Sequence, residues 1–159
     1  EYVRHGTQTM LAAVEIETGK ATTWVNKTRK AEDFVTFMDQ VVREYPGQRL
    51  CVVMDNLNTH KEASLYQAFP PEKARALCER FEMHYTPKHG SWLNIAEIEL
   101  SVLTKQCLDR RIPDIETLRS ETAQWAQERN AGQKSVDWRF TTDQARIKLK
   151  CLYPKIEMS

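Results

Sequence analysis

Apolar and polar positions follow two different spacings along the chain, which predicts a mixture of strands and helices. Two strand-like stretches, Gln8 to Ile16 and Ala21 to Asn26, flank a short turn that contains Gly19. This arrangement is typical of a β-hairpin. Apolar residues then recur at helical spacing over residues 31–45, and Pro46-Gly47 ends the pattern. The sequence therefore predicts a hairpin followed by an amphipathic helix that packs on a sheet.

A continuous apolar run from Leu50 to Met54 stops at Asp55. Because a half-exposed strand would alternate apolar and polar residues, the run predicts a strand buried on both faces. Cys51 lies inside this run and is interpreted as a small core residue. A further short strand is predicted at Phe81 to Tyr85, which ends in a loop rich in Pro and Gly.

Helical patterns occupy most of the remaining chain. They are predicted from Thr59 to Phe69, from Glu72 to Arg80, from about Glu97 onward, from Ile115 to about Asn130, and from Thr141 to about Leu149. The last of these begins with Thr141 and Gln144 in the spacing of a capping box. Strands alternating with helices indicate an α/β fold, and we expect residues 1–159 to form a single domain.

Amino-acid composition excludes few classes of protein function. The chain is 41% hydrophobic and carries 23 Lys and Arg against 22 Asp and Glu, so net charge does not indicate a partner. No apolar run is long enough for a bilayer and no signal-like start is present, which predicts a cytoplasmic protein and no membrane partner. The 4 cysteines lie tens of residues apart, a spacing that does not favour a zinc site or disulfide scaffold.

Two carboxylates stand where strands or helices meet loops, which is where α/β folds place chemistry. Asp55 follows the predicted strand, and Glu97 lies in the first turn of a predicted helix. Asp55 also suits a turn without catalytic function, and Glu97 could close a capping box with Asn94. Glu99 points about 200° around the helix from Glu97 and is the weaker candidate.

The residues around these carboxylates resemble two acidic motifs of the DDE superfamily endonucleases. Asp55-Asn56, with His60 five positions on, resembles the second motif, and Leu93 to Glu97 resembles the third. The resemblance is closest to the mariner-like insertion-sequence transposases of bacteria, whose third motif typically reads Pro-x-x-Ser-Pro-x-Leu-Asn-Pro-x-Glu. Gly90-Ser91-Trp92 and Ile95 depart from that motif, which indicates a divergent branch.

This resemblance implies an RNase H-like mixed sheet flanked by helices, with three carboxylates that hold two divalent metals, Mg²⁺ or Mn²⁺. Asp55 and Glu97 are the implied catalytic and metal-binding residues. The resemblance further implies that the first strand, with the first Asp, is missing, and Asp33, Glu15 and Glu17 do not suit its role. We therefore expect an inactive or nearly inactive fragment, whose open sheet edge pairs with a second copy to give a homodimer.

The implied function is DNA cleavage and strand transfer during transposition and DNA integration, with element ends and target DNA as partners. The rival hypotheses are a non-catalytic RNase H-like module for DNA binding or assembly, and a nuclease of the same fold without strand transfer. Basic residues are predicted to contact DNA phosphates, although ordinary solvated faces explain such clusters equally well. The predicted DNA-binding residues are Lys88, His89, Lys105, Arg139, Arg146, Lys148 and Lys150.

Overall fold

The computed structural model describes residues 7–55, 61–87, 95–132, 135, 137 and 139–150. The elements, in chain order, are β1 (Thr9–Val14), β2 (Ala21–Asn26), α1 (Ala31–Glu44), β3 (Leu50–Met54), α2 (Glu62–Ala68), α3 (Pro71–Cys78), β4 (Phe81–Tyr85), α4 (Ile95–Leu103), a π-helix (Thr104–Leu108), α5 (Ile115–Ala131) and α6 (Thr142–Lys148). This order confirms the predicted α/β fold.

Strands β1 and β2 form the predicted antiparallel hairpin. Thr9 pairs with Asn26 at one end and Val14 with Ala21 at the other. Gly19 closes the turn with φ of 72°, a left-handed conformation that costs glycine least. Helix α1 contacts one face of this sheet, and α4 and α5 contact β1 and β2. The hairpin is thus held between two layers of helix.

Helix α1 supplies most of the apolar core, as its spacing predicted. Its buried residues pack with Met54 of β3, Leu65 of α2 and Phe81 of β4. Partly buried residues from both sheets join the same cluster, among them Leu11 and Val52. One apolar cluster therefore lies under all four strands. The buried apolar residues of α1 are Phe34, Val35, Phe37, Met38, Val41 and Val42.

Strands β3 and β4 form a separate parallel pair, in which Leu50 lies opposite Phe81 and Met54 opposite Tyr85. The prediction that β3 is buried on both faces is wrong. Its residues alternate in exposure: Met54 is buried, whereas Cys51 is exposed and Val53 is 49% exposed. All five residues are apolar, but among the described residues only the α1 side of the strand is covered. Cys51 is consequently not a core residue.

The helical second half of the described chain follows the predicted boundaries closely. Pro71 occupies the first turn of α3, where its missing N–H costs nothing. Asp114 caps α5 by accepting a hydrogen bond from the backbone N–H of Thr117 at 2.8 Å. Thr141 and Gln144 form the predicted capping box of α6. No helix in the described ranges has the length and apolar character required to cross a membrane.

Candidate active site

Asp55 follows β3 directly and is partly buried. Pairing of the two parallel strands continues beyond their ends, because the backbone N–H of Thr86 donates to the Met54 carbonyl at 2.8 Å. Thr86 is itself buried, with 6% exposure. The chain leaving β4 toward α4 therefore starts beside Asp55. The parallel pairing of β3 with β4 therefore determines which part of the chain lies next to Asp55.

Glu97 lies in the first turn of α4 and is exposed. It shares a shallow groove of about 430 Å³ with other residues of the same helix face, including Lys105. Lys105 lies eight positions further on, so a cation follows the carboxylate about two helical turns away. The groove is lined by Glu97, Ile98, Ser101, Val102 and Lys105. The sequence analysis identified the two charged residues of the groove, Glu97 and Lys105, but missed Ser101 and Val102. Helical spacing from Glu97 could have identified these two residues.

Glu99 has a different role from Glu97, although only one residue separates them. It is 6% exposed and faces Arg129 of α5. Arg129 Nη2 donates to Glu99 Oε1 at 2.6 Å, and Nε lies 2.5 Å from Oε2. The second contact is an ion pair rather than an aligned hydrogen bond, since neither atom has a hydrogen-bond partner. Glu99 therefore joins α4 to α5, and Glu97 is the carboxylate on this helix that solvent and ligands reach.

Tyr85 closes β4 near the same end of the parallel pair and is 39% exposed. Partial burial raises the pKa of its phenol, and the negative charge of Glu62 adds to the effect. The phenol therefore remains protonated well above neutral pH. Its hydroxyl faces Met83 Sδ at 3.6 Å. Tyr85 thus offers this end of the parallel pair a neutral hydrogen-bonding group, on the strand next to the one that Asp55 follows.

The basic residues predicted to bind DNA differ in their surroundings. Lys105 is exposed and lines the Glu97 groove. Arg139 lies 2.5 Å from Asp137, and Arg146 lies 3.1 Å from Asp143, so nearby carboxylates already balance both guanidinium groups. Lys148 and Lys150 are exposed at the end of α6. The DNA-binding assignments of these residues stay predictions.

Several residues of the two motif regions and of the predicted DNA-binding set lie outside the part of the chain that the structure describes. They are Asn56, His60, Lys88, His89, Trp92 and Asn94. Among the described residues, no group of three or more His, Cys, Asp or Glu is arranged to hold a metal ion. The close approach of Asp55 to Glu97 likewise stays a prediction. The chemistry of the two groups nevertheless fits Mg²⁺ or Mn²⁺, which prefer carboxylate oxygen and retain several water ligands.

Comparison with known proteins gives a family but no individual relative. No curated protein and no solved structure matches the chain. Residues 1–119 match the family described as DDE superfamily endonuclease. The matched region includes Asp55 at the end of β3 and Glu97 on α4, the two carboxylates that the sequence motifs singled out. The chain therefore belongs to the DDE superfamily endonuclease family.

Proposed function

We propose that this chain is catalytic-domain sequence of a DNA transposase, in which Asp55 and Glu97 bind divalent metal. The observation that carries the proposal is their placement. Asp55 follows β3 at the carboxyl end of a parallel strand pair, and Glu97 is exposed in a groove on α4. Family membership supports the reaction class, that of an endonuclease, and metal dependence and a DNA substrate are part of the proposal. The RNase H-like fold and the mariner-like type belong to the same proposal.

Phosphodiester chemistry explains why the partly buried Asp55 and the exposed Glu97 matter. If Asp55 and Glu97 hold a pair of Mg²⁺ or Mn²⁺ ions, the ions would supply activation of the attacking water or 3′-hydroxyl and stabilisation of the leaving oxygen. The protein's own task is to hold such ions in place with Asp55 and Glu97. Glu99 does not join them, because its carboxylate is engaged by Arg129 in the interior. Lys105 lies in the Glu97 groove, where it would bind a phosphate of the DNA.

The C-terminal basic residues have a secondary role in the proposal. Arg139 and Arg146 are paired with Asp137 and Asp143, and all four side chains are largely exposed. Exposed ion pairs of this kind contribute little to stability, so a DNA phosphate can replace the carboxylate partner at small cost. Lys148, Lys150 and, outside the described residues, Lys88 and His89 would add sequence-independent affinity for element ends and target DNA.

Two further parts of the proposal concern setting and assembly. We propose a cytoplasmic setting, as expected from the sequence. A homodimer is proposed because transposition joins two element ends to one target, and two copies would supply two sites. An open strand edge offers one route to such pairing.

Metal binding provides the primary experiment, because it depends on the site and not on turnover. Mn²⁺ titration followed by electron paramagnetic resonance should show binding that Asp55→Asn and Glu97→Gln each weaken at least about tenfold, since each substitution removes an anionic ligand. Glu82→Gln is the matched control, because Glu82 is an exposed carboxylate on β4. Unchanged Mn²⁺ affinity in both site variants would refute the assignment.

DNA assays then separate the rival functions. Mn²⁺ binding together with joining of pre-processed 3′-hydroxyl ends to target DNA would support the transposase. Cleavage without end joining would instead indicate a nuclease of the same fold. DNA binding without metal binding would indicate a non-catalytic module for DNA binding or assembly.

A further inference from the structure

The edge of β2 that points away from β1 is contacted by side chains of α5. Asn130 binds the backbone of Ala21 twice: its Oδ1 accepts a hydrogen bond from the Ala21 N–H at 2.7 Å, and its Nδ2 donates to the Ala21 carbonyl at 3.0 Å. Arg119 Nε donates to the Val25 carbonyl at 3.2 Å. Two side chains of one helix therefore bind backbone groups near both ends of β2.

These contacts also show how α5 lies along the strand. Arg119 and Asn130 are about 16 Å apart along the helix axis, and Val25 and Ala21 are about 14 Å apart along β2. Since the earlier helix residue contacts the later strand residue, α5 runs antiparallel to β2. The helix thus follows most of the strand and occupies the place of a neighbouring strand.

The carboxamide of Asn130 makes the same two bonds as a residue of a paired strand. In an antiparallel ladder, two opposite residues exchange both of their N–H···O bonds. A carboxamide carries a carbonyl oxygen and two N–H donors, so one Asn side chain can accept and donate at once. Ala21 is 3% exposed, and its backbone groups therefore depend on a protein partner. Asn130 is that partner.

The composition of β2 explains why its edge needs a cover. The strand reads Ala-Thr-Thr-Trp-Val-Asn and contains no charged residue, proline or glycine, while Thr, Trp and Val favour extended structure. Short uncharged segments of this kind pair readily with copies of themselves, and an open sheet edge is where such pairing begins. Strand β4 differs, because Glu82 and His84 place charges on it that oppose pairing with another chain.

We infer that α5 covers the β2 edge and thereby prevents β2 from pairing with the β2 strand of a second copy. The excluded partner is a copy of this chain, because an uncharged strand meets no like-charge repulsion when it pairs with itself. Asn130 lies beyond residues 1–119, the part that matches the family. The cover therefore includes a contact outside the matched region, and it does not depend on the proposed metal chemistry. A homodimer of the intact chain must use another surface.

Other contacts hold α5 in place without the two covering side chains. Arg129 pairs with Glu99 of α4, and Trp125 Nε1 donates to Gln106 Oε1 at 2.8 Å. Alanine is also a better helix former than either asparagine or arginine. Replacing both covering residues by alanine therefore opens the β2 edge and leaves the helix anchored.

Sedimentation velocity over a wide range of protein concentration tests the inference. The double variant Arg119→Ala, Asn130→Ala should associate at least about tenfold more tightly than the intact chain, because strand pairing would satisfy the freed backbone groups of Ala21 in both copies. The matched control is Ser120→Ala, Gln127→Ala, which changes two exposed residues of the same helix. The control should associate no more tightly than the intact chain.

Hydrogen exchange at the Ala21 amide locates the contact. At low protein concentration it should be at least about tenfold faster in the double variant than in the intact chain, and it should slow again as copies associate. Association without this renewed protection would overturn the inference by placing the contact on another surface. A folded double variant that associates no more tightly than the intact chain would also overturn it.

The single variant Asn130→Ala keeps the test decisive if the double variant does not fold, which far-ultraviolet circular dichroism shows. This variant retains Arg119 on the Val25 carbonyl and frees only the Ala21 groups. It should show the same changes in association and in Ala21 exchange, with a smaller amplitude. Unchanged association of the single variant would then refute the inference.

Discussion

The two sheets of this protein contain strands of similar length but differ in how completely they are covered. The hairpin β1–β2 has helices on both faces, and side chains of α5 cap its outer edge. The parallel pair β3–β4 is packed against the α1 cluster on one face, while Cys51, Val53, Glu82 and His84 are exposed on the other. The hairpin is thus the more completely covered of the two sheets, and the candidate catalytic Asp55 follows a strand of the less covered pair.

The same contrast divides α4. Glu99 and Leu103 are buried toward the hairpin and α5, whereas Glu97 and Ile98 line the groove together with Lys105 of the π-helix that follows. One helix therefore serves both as a packing element and as the support of a candidate active-site carboxylate. Because Glu99 anchors the helix to α5, the helix can hold Glu97 in position even though Glu97 is exposed. The predictions that follow test this division, from the largest effect to the smallest.

The strongest test replaces the buried carboxylate. Glu99→Ala should lower the free energy of unfolding by about 3 kcal/mol, because it leaves the partly buried charge of Arg129 without its carboxylate partner. The Glu99 side chain is 8% exposed and that of Arg129 is 19% exposed, so solvent screens the pair weakly. Urea denaturation at pH 7 measures the effect.

Glu97→Ala is the matched control on the same helix. Because Glu97 is exposed, its replacement should change the free energy of unfolding by no more than about 0.5 kcal/mol. Equal losses in the two variants would contradict the division of α4 into a packing face and a groove face.

A second test compares adjacent residues of β3. Met54→Ala should cost about 2 to 5 kcal/mol, since Met54 is 7% exposed and packs in the α1 cluster. Val53→Ala should cost about 1 kcal/mol or less, because much of its side chain already contacts water. The difference in urea midpoint between the variants gives the result. A larger loss at Val53 would mean that the second face of β3 is covered after all.

This strand also shows where sequence reasoning succeeds and where it fails. The position of β3 follows from its five apolar residues, but these residues cannot reveal whether one face or two are covered. Coverage depends on which helices reach the strand, and that is a property of tertiary packing. Continuous apolar sequence therefore predicted the element correctly and the environment of Cys51 and Val53 incorrectly.

The candidate site divides in a similar way. Asp55 and Glu97 could be selected from sequence because motif spacing and element ends both indicated them. The burial of Glu99 could not, because its partner Arg129 lies 30 residues away and local helical geometry says nothing about α5. Capping at Thr141 and Asp114 was easier to predict or explain, since those contacts span only three residues.

The smallest expected effect is a pH dependence of the free energy of unfolding. It arises from Asp33, at the junction between β2 of the covered hairpin and α1. Asp33 is 7% exposed, although the helical pattern placed it apart from the apolar positions. Its carboxylate accepts hydrogen bonds from Thr28 at 2.6 Å, from the Lys30 N–H at 2.7 Å and from Asn26 at 2.7 Å. It therefore ties the end of β2 to the first turn of α1.

These contacts fix the sign of the pH effect. Burial by itself raises the pKa of Asp33, but the hydrogen bonds from Thr28, the Lys30 N–H and Asn26, together with the charge of Lys30, leave it below its ordinary value of 3.8. A carboxyl with a lowered pKa in the folded state stabilises the fold above pH 3.8, and this stabilisation is lost as pH falls through the folded-state pKa.

Asp33→Asn should consequently cost about 1 to 2 kcal/mol at pH 7, because charge-assisted hydrogen bonds are lost. Its deficit relative to the unmodified chain should shrink as the pH falls below 3.8. Urea denaturation at pH 7 and at several values below 4 measures both quantities, with Glu32→Gln as an exposed control in the same helical turn. If the difference in free energy of unfolding between the two chains stays constant through the acid range, the Asp33 contacts stabilise α1 without a contribution from the carboxylate charge.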